Sequence, residues 1–86
     1  MRTIVFTKKF EKMLKKLSPK DKDRAVVALA NFAGGTSDSI LRVHPLHGKY
    51  QGAYSINITG DLRAIYKNKN GTYIFVKLGN HNQLYS

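Results

Sequence analysis

The three histidines of this sequence, His44, His47 and His81, fall in polar stretches flanked by glycine or proline, outside the apolar periodic segments. His44 and His47 lie in Val43-His44-Pro45-Leu46-His47-Gly48-Lys49, where Pro45 and Gly48 imply an irregular loop. His81 lies in Gly79-Asn80-His81-Asn82-Gln83-Leu84-Tyr85, beyond the last apolar segment. Loops at strand ends are where a rigid scaffold presents working groups. Asp61 is the only carboxylate after Asp38 and stands two residues before Arg63, directly after a turn. It reads either as a turn residue paired with Arg63 or as the group that orients an imidazole or guanidinium. Tyr85 stands four residues after His81, so the two side chains can share one face of a terminal turn. Cleaving RNA without a metal requires a base for the ribose 2′-OH, cations for the phosphorane and an acid for the departing 5′-oxygen. Histidine suits either proton transfer, arginine and lysine suit the charge, and Tyr85 suits stacking on a base.

Other chemistries fit these residues less well. His44, His47 and His81 could fold onto one ion, but zinc histidines usually come with thiolate or carboxylate companions. A two-metal nuclease gathers several carboxylates, and this half of the chain has one. No serine sits in a nucleophile elbow, and Gly34-Gly35 lacks the lysine and helix of a phosphate loop. With no cysteine, disulfides and thiolate nucleophiles are excluded. Neither a metal nor a cofactor is expected.

Fifteen Lys and Arg against five Asp and Glu give a formal charge of +10 and a pI of about 10.1. Self-repulsion on this scale calls for a polyanionic partner. No apolar run reaches membrane-spanning length and no signal-peptide core opens the chain, so nucleic acid in the cytoplasm is expected and a membrane is not. At 86 residues with 42% hydrophobic content the chain is expected to form one folded domain over residues 1–86.

A short strand is expected over Arg2 to Phe6. The spacing of Phe6, Phe10, Leu14 and Leu17 predicts a helix from Thr7 to Leu17, with Lys8, Lys9, Lys12, Lys15 and Lys16 on its other face, either solvated or drawing phosphate. Ser18 and Pro19 start a second helix carrying Ala25, Val26, Ala28, Leu29, Phe32 and Ala33 until Gly34-Gly35 ends it. It is expected to pack on the first as a helical hairpin. Thr36 to Ile40 reads as a polar connector. From there the period is two, predicting antiparallel strands over Tyr50 to Ile58, Leu62 to Lys67 and Thr72 to Leu78, the last two joined at Asn70-Gly71. The tail from Gly79 reads as too short for another core element. The expected architecture is an α+β sandwich, β-α-α-β-β-β, with two N-terminal helices on one face of an antiparallel sheet.

The chain resembles bacterial toxins of the RelE/ParE superfamily, and within it the YafQ-like branch. The resemblance spans nearly the whole chain. It rests on the element order, on His44-Pro45-Leu46 followed by Gly48, Tyr50 and Gly52, on Gly60-Asp61-Leu62-Arg63-Ala64-Ile65-Tyr66, and on the ending Gly79-Asn80-His81-Asn82-Gln83-Leu84-Tyr85. It implies a RelE-like fold and a metal-independent endoribonuclease, an mRNA interferase acting within the ribosome. It also implies an acidic antitoxin that wraps the toxin, covers its basic groove and carries any oligomer. By the same resemblance His44 and His81 transfer protons, Asp61 is their partner, Arg63 and Lys49 neutralise phosphate, and Tyr85 is the terminal aromatic. His47, Lys49, Lys67 and Lys77 are expected along the RNA. One position departs: where YafQ-like enzymes commonly carry a further catalytic histidine, this sequence has Asn57, which transfers no proton at neutral pH. Two other readings stand beside this one. They are a non-catalytic relative that poisons another target such as gyrase, and a basic RNA binder without toxicity.

Overall fold

The computed structural model describes residues 1–85. The elements run β1 (Thr3–Phe6), α1 (Lys8–Lys15), α2 (Pro19–Ala33), α3 (Asp38–Leu41), β2 (His44–Pro45), a 3₁₀ turn (Gly48–Tyr50), β3 (Tyr54–Asn57), β4 (Arg63–Lys69), β5 (Thr72–Gly79) and α4 (His81–Tyr85). The strands form one sheet in the order β1-β5-β4-β3-β2. The α+β class with two N-terminal helices on one sheet face is as expected, but the sheet is mixed, because β1 runs parallel to β5 with Thr3 opposite Thr72 and Phe6 opposite Phe75. The crossover through α1 and α2 makes the parallel pairing possible. The strand β2 was expected to be loop. It is a two-residue edge ladder, His44 against Ser55 and Pro45 against Tyr54, and an edge is where a sheet tolerates proline.

Local chemistry fixes the helix and hairpin ends. Thr7 Oγ1 accepts from the Phe10 N–H at 3.1 Å and Ser18 Oγ from the Asp21 N–H at 3.2 Å, so each helix opens on a capped donor. Gly35, at φ 93°, takes the left-handed conformation that closes α2. Asn70 and Gly71 carry φ of 53° and 88° between Lys69 and Thr72. Two consecutive positive φ values are what a tight two-residue hairpin needs, and Asn-Gly supplies them at little cost.

The helical face of the sheet holds the larger core. Phe10, Leu29 and Phe32 pack on Ile56, Ala64, Tyr66, Phe75 and Leu78, all buried. The Phe32 ring meets Tyr73 and Phe75 edge-on at 5.1 and 5.4 Å. Burial, then the Asp38 charge, pushes the Tyr66 hydroxyl up to about 12, so it remains a neutral phenol. Expectation fails at Val26, which is 54% exposed, because α2 meets the sheet only through the stripe Ala25, Ala28, Leu29 and Phe32. The expected helical hairpin is also loose: α1 lies mainly on β5.

Arg2 ties the N-terminus to the end of α2. Its guanidinium donates to Phe32 O at 2.8 Å, Thr36 O at 2.9 Å and Asp38 Oδ1 at 3.1 Å, and lies 4.3 Å above the Phe32 ring. Only Arg presents donors in a planar fork that also stacks. We therefore expect Arg2→Lys to recover little of the loss in Arg2→Ala. Removing these charge-assisted bonds should cost about 1.5–3 kcal/mol, seen as a fall in Tm on the order of 10 °C. A melting curve within 2–3 °C of wild type, roughly half a kilocalorie per mole, would discount the tie.

The second, smaller core lies on the opposite face: Ala53, Ile65 and Leu84, with Leu46, Tyr50 and Val76 half-buried around them. The segment from Gly79, expected to be too short for another core element, therefore contributes a core residue. Thr36 to Ile40, expected to be connector, likewise leads into α3, whose Leu41 is 6% exposed. No helix among the described residues is long and apolar enough to cross a membrane.

Candidate active site

The candidate site occupies the face opposite α1 and α2, and α4 is its wall. Asn80 and Gln83 start this helix with reciprocal bonds: the Asn80 N–H donates to Gln83 Oε1 at 2.9 Å and the Gln83 N–H to Asn80 Oδ1 at 2.8 Å. This is a capping box. Gly79 makes room for it, since a Cβ there would stand 2.9 Å from Gln83 Oε1. Leu84 pins the other end, 1% exposed, and its carbonyl accepts from the Tyr50 hydroxyl at 2.7 Å.

On this turn the expected pairing of residues 81 and 85 is present. The His81 and Tyr85 rings lie 4.8 Å apart at 34°, and Tyr85 meets Tyr50 edge-on at 5.4 Å. Both His81 and Tyr85 are exposed. Lys49 Nζ lies 5.4 Å from the centre of the Tyr50 ring, a cation–π distance. A row of groups thus runs from His81 through Tyr85 and Tyr50 to Lys49.

Arg63 enters from the sheet floor. It stands opposite Asn57 on β3 and Gly79 on β5, one strand residue below the start of α4. Arg63 Nε and Asn57 Oδ1 are buried without a hydrogen-bond partner among the described residues, as is Ser55 Oγ. His44 faces the same side, opposite Ser55. It is one strand beyond Asn57 and two residues along, so standard sheet spacings put the His44 and Arg63 backbones roughly 12 Å apart. The exposed His44 and His47 therefore stand at the rim of this face.

Asp61 is placed differently. Its backbone N–H and that of Leu62 donate to Thr59 Oγ1 at 3.2 and 2.9 Å, the turn role expected of it. Its carboxylate makes no ion pair with Arg63; among the described residues the one salt bridge joins Arg2 and Asp38 at 3.1 Å. The register explains this, since Arg63 is drawn into the β3–β4–β5 ladder while Asp61 stays in the turn outside it. Asp61 instead lines a cavity of about 460 Å³ with Lys16, Asp21, Asn80 and Gln83, behind the start of α4. Nor do the histidines converge: among the described residues no three His, Cys, Asp or Glu side chains group as a metal site.

A β-bulge sets the remaining cations. The β4–β5 register steps from Ile65 opposite Lys77 to Tyr66 opposite Phe75, leaving Val76 as the extra residue. Bulges re-aim side chains, and here Val76 and Lys77 come to line one cavity with Lys67, Lys49, Tyr50, Thr7 and Lys9. The Lys77 ammonium is held below the usual lysine range, first by the adjoining Lys9 side chain, then by burial and by the like charges of Lys9 and Lys49. Of the RNA-binding lysines expected from the sequence, Lys49, Lys67 and Lys77 are thus together. The sequence puts Lys9 on the outer face of its helix, either solvated or drawing phosphate, and no local pattern announces that it joins these three.

These features define a small basic α+β protein whose terminal helix carries a histidine–tyrosine pair beside a lysine-lined cavity. The family model of the bacterial toxin of type II toxin-antitoxin systems, YafQ, matches residues 2–86; the chain belongs to this family of toxins. Among solved structures, YafQ from E. coli strain BL21(DE3) is similar over 100% of both chains, with 20% identity and a TM-score of 0.82. The conserved hypothetical protein HP0894 from Helicobacter pylori is similar over 99% of this chain and 100% of its own, with 22% identity and a TM-score of 0.75. The toxin-antitoxin complex RelBE2 from Mycobacterium tuberculosis gives 27% identity over 93% of this chain and 98% of the other, with a TM-score of 0.64. No curated protein matches the sequence significantly.

Proposed function

We propose that this toxin is a metal-independent endoribonuclease that cleaves messenger RNA on the ribosome in the cytoplasm, and that an acidic antitoxin covers its basic face. The observation that carries this reading is the His81–Tyr85 ring pair, exposed on a pinned helix and continuous with a lysine cavity. A base stacks on Tyr85, which leaves the neighbouring phosphodiester beside His81. In the reaction the ribose 2′-oxygen loses its proton to an imidazole and bonds to phosphorus, and the bond from phosphorus to the 5′-oxygen breaks. That oxygen leaves with a proton from a second group. His81 and His44 are the proton carriers in this reading. Arg63 and Lys49 offset the phosphorane charge. Asp61 acts from behind α4 as a positioning residue. The distance of His44 from Arg63 requires the RNA to bridge the two, so His44 contributes only in the loaded complex. Antitoxin-bound relatives, the E. coli DinJ-YafQ complex and RelBE2, support the antitoxin as partner.

The decisive assay incubates the purified chain with messenger RNA, with and without ribosomes, in excess chelator. Products ending in a 2′,3′-cyclic phosphate and a 5′-hydroxyl are expected. Intact RNA under both conditions, with growth arrested and DNA broken in cells, would transfer the assignment to a gyrase-directed poison.

A further inference from the structure

The cavity beside the proposed catalytic turn has a composition that the cleavage chemistry alone does not account for. Lys9 from α1, Lys49 from the 3₁₀ turn, Lys67 from β4 and Lys77 from β5 line about 470 Å³ together with Thr7, Tyr50 and Val76. Four lysines from four elements line the space, and none of the acidic side chains, Glu11, Asp21, Asp23, Asp38 and Asp61, does. Charges gathered so closely repel. A cluster of cations that, among the described residues, has no acidic side chain in its lining is built for an external anion. Lysine is a compact cation suited to phosphate oxygens.

Position says which anion. Tyr50 forms one wall of the cavity and touches Tyr85, which touches His81. Because its hydroxyl is taken by Leu84 O, Tyr50 offers the outside only its ring. The row imidazole, aromatic, aromatic, lysines sets stacking surfaces beside charge, the pairing of aromatic platform and basic groove that binds a single strand. An acidic peptide would satisfy the charge but leaves the stacking surfaces unused.

We infer that the Lys9–Lys49–Lys67–Lys77 cavity is a second phosphate site, seating a backbone phosphate of single-stranded RNA that flanks the linkage presented to His81. The inference rests on the ribonuclease reading for the identity of the RNA, not for the charge of the cavity. It adds Lys9, from the far end of the chain, to the RNA-binding residues.

The test pairs Lys9→Gln and Lys67→Gln, both exposed positions, singly and together, with circular dichroism to verify the fold. Cleavage of a short oligoribonucleotide gives kcat and KM. Anisotropy with its non-cleavable 2′-O-methyl analogue across salt concentrations gives affinity and the counterion slope. Loss of one phosphate contact should raise Kd and KM about fourfold at physiological salt and flatten the slope by about 0.7, with the loss falling on KM and not on kcat. Unchanged KM and slope, in a wild type that cleaves, would overturn the site and leave the ribonuclease reading standing. If the wild type cuts no RNA, the anisotropy arm still decides: a flattened slope supports the site and an unaltered one removes it. Weaker antitoxin binding with unaltered RNA slope would assign the cavity to the protein partner and overturn the inference.

Discussion

Replacing His81 with alanine is expected to lower RNA cleavage by about 10²–10⁴-fold, the usual contribution of a positioned proton-transfer group, and to abolish growth inhibition. The fold should not respond. The ring is exposed, the start of α4 is held by Asn80 and Gln83, and its other end by Leu84, so the substitution removes an imidazole and its contact with Tyr85 and little else. The pH dependence separates a chemical role from a stacking one. If His81 carries a proton in the reaction, one limb of the pH–rate profile should vanish in His81→Ala. If it only braces Tyr85, the profile keeps its shape at a reduced rate, and an aromatic replacement such as His81→Phe restores activity. A variant that cleaves at the wild-type rate would remove the central residue of the mechanism.

The elements with strong local signals were legible from the sequence, and those set by tertiary contacts were not. The caps at Ser18 and Gly34-Gly35 and the Asn70-Gly71 hairpin follow from backbone chemistry within a few residues, and the structure has them there. The parallel pairing of β1 with β5 joins segments about seventy residues apart, and no local pattern encodes it. The terminal helix is a different case, because its signal is local. Asn80-x-x-Gln83 before an apolar residue is a capping box, and Leu84 is the residue that gives so short a helix something to bury. The spacing of His81 and Tyr85 was legible for the same reason: four residues on a helix give one face. Convergence of loops was not. His44 stands at the sheet edge and Asp61 behind α4 because strand register and the Thr59 turn place them, and neither is visible as a motif. The departure at Asn57 gains a structural meaning, since it faces Arg63 directly across the ladder, where a histidine would stand on the site's floor.

Leu84→Ala is expected to cost as much activity as losing His81, without touching a reacting group. A five-residue helix cannot hold itself in water. It is held by one buried side chain, one hydroxyl bond from Tyr50 and a capping box. Truncating a fully buried leucine costs about 2–5 kcal/mol, more than the remaining tethers offset. The larger core, with Phe10, Phe32 and Phe75, lies on the other face of the sheet and does not include Leu84. The loss should therefore appear first as local opening of α4. In hydrogen exchange, the Leu84 N–H, bonded to Asn80 O at 3.0 Å, should lose its protection while β4 and β5 keep theirs. His81 and Tyr85 then leave the Tyr50 ring together, and cleavage falls with them. Leu84→Met, which nearly conserves volume and should cost under about 1.5 kcal/mol, should keep both protection and activity. An alanine variant with an exchanging α4 and full cleavage would mean that the catalytic turn assembles on the RNA instead of being preformed by the fold.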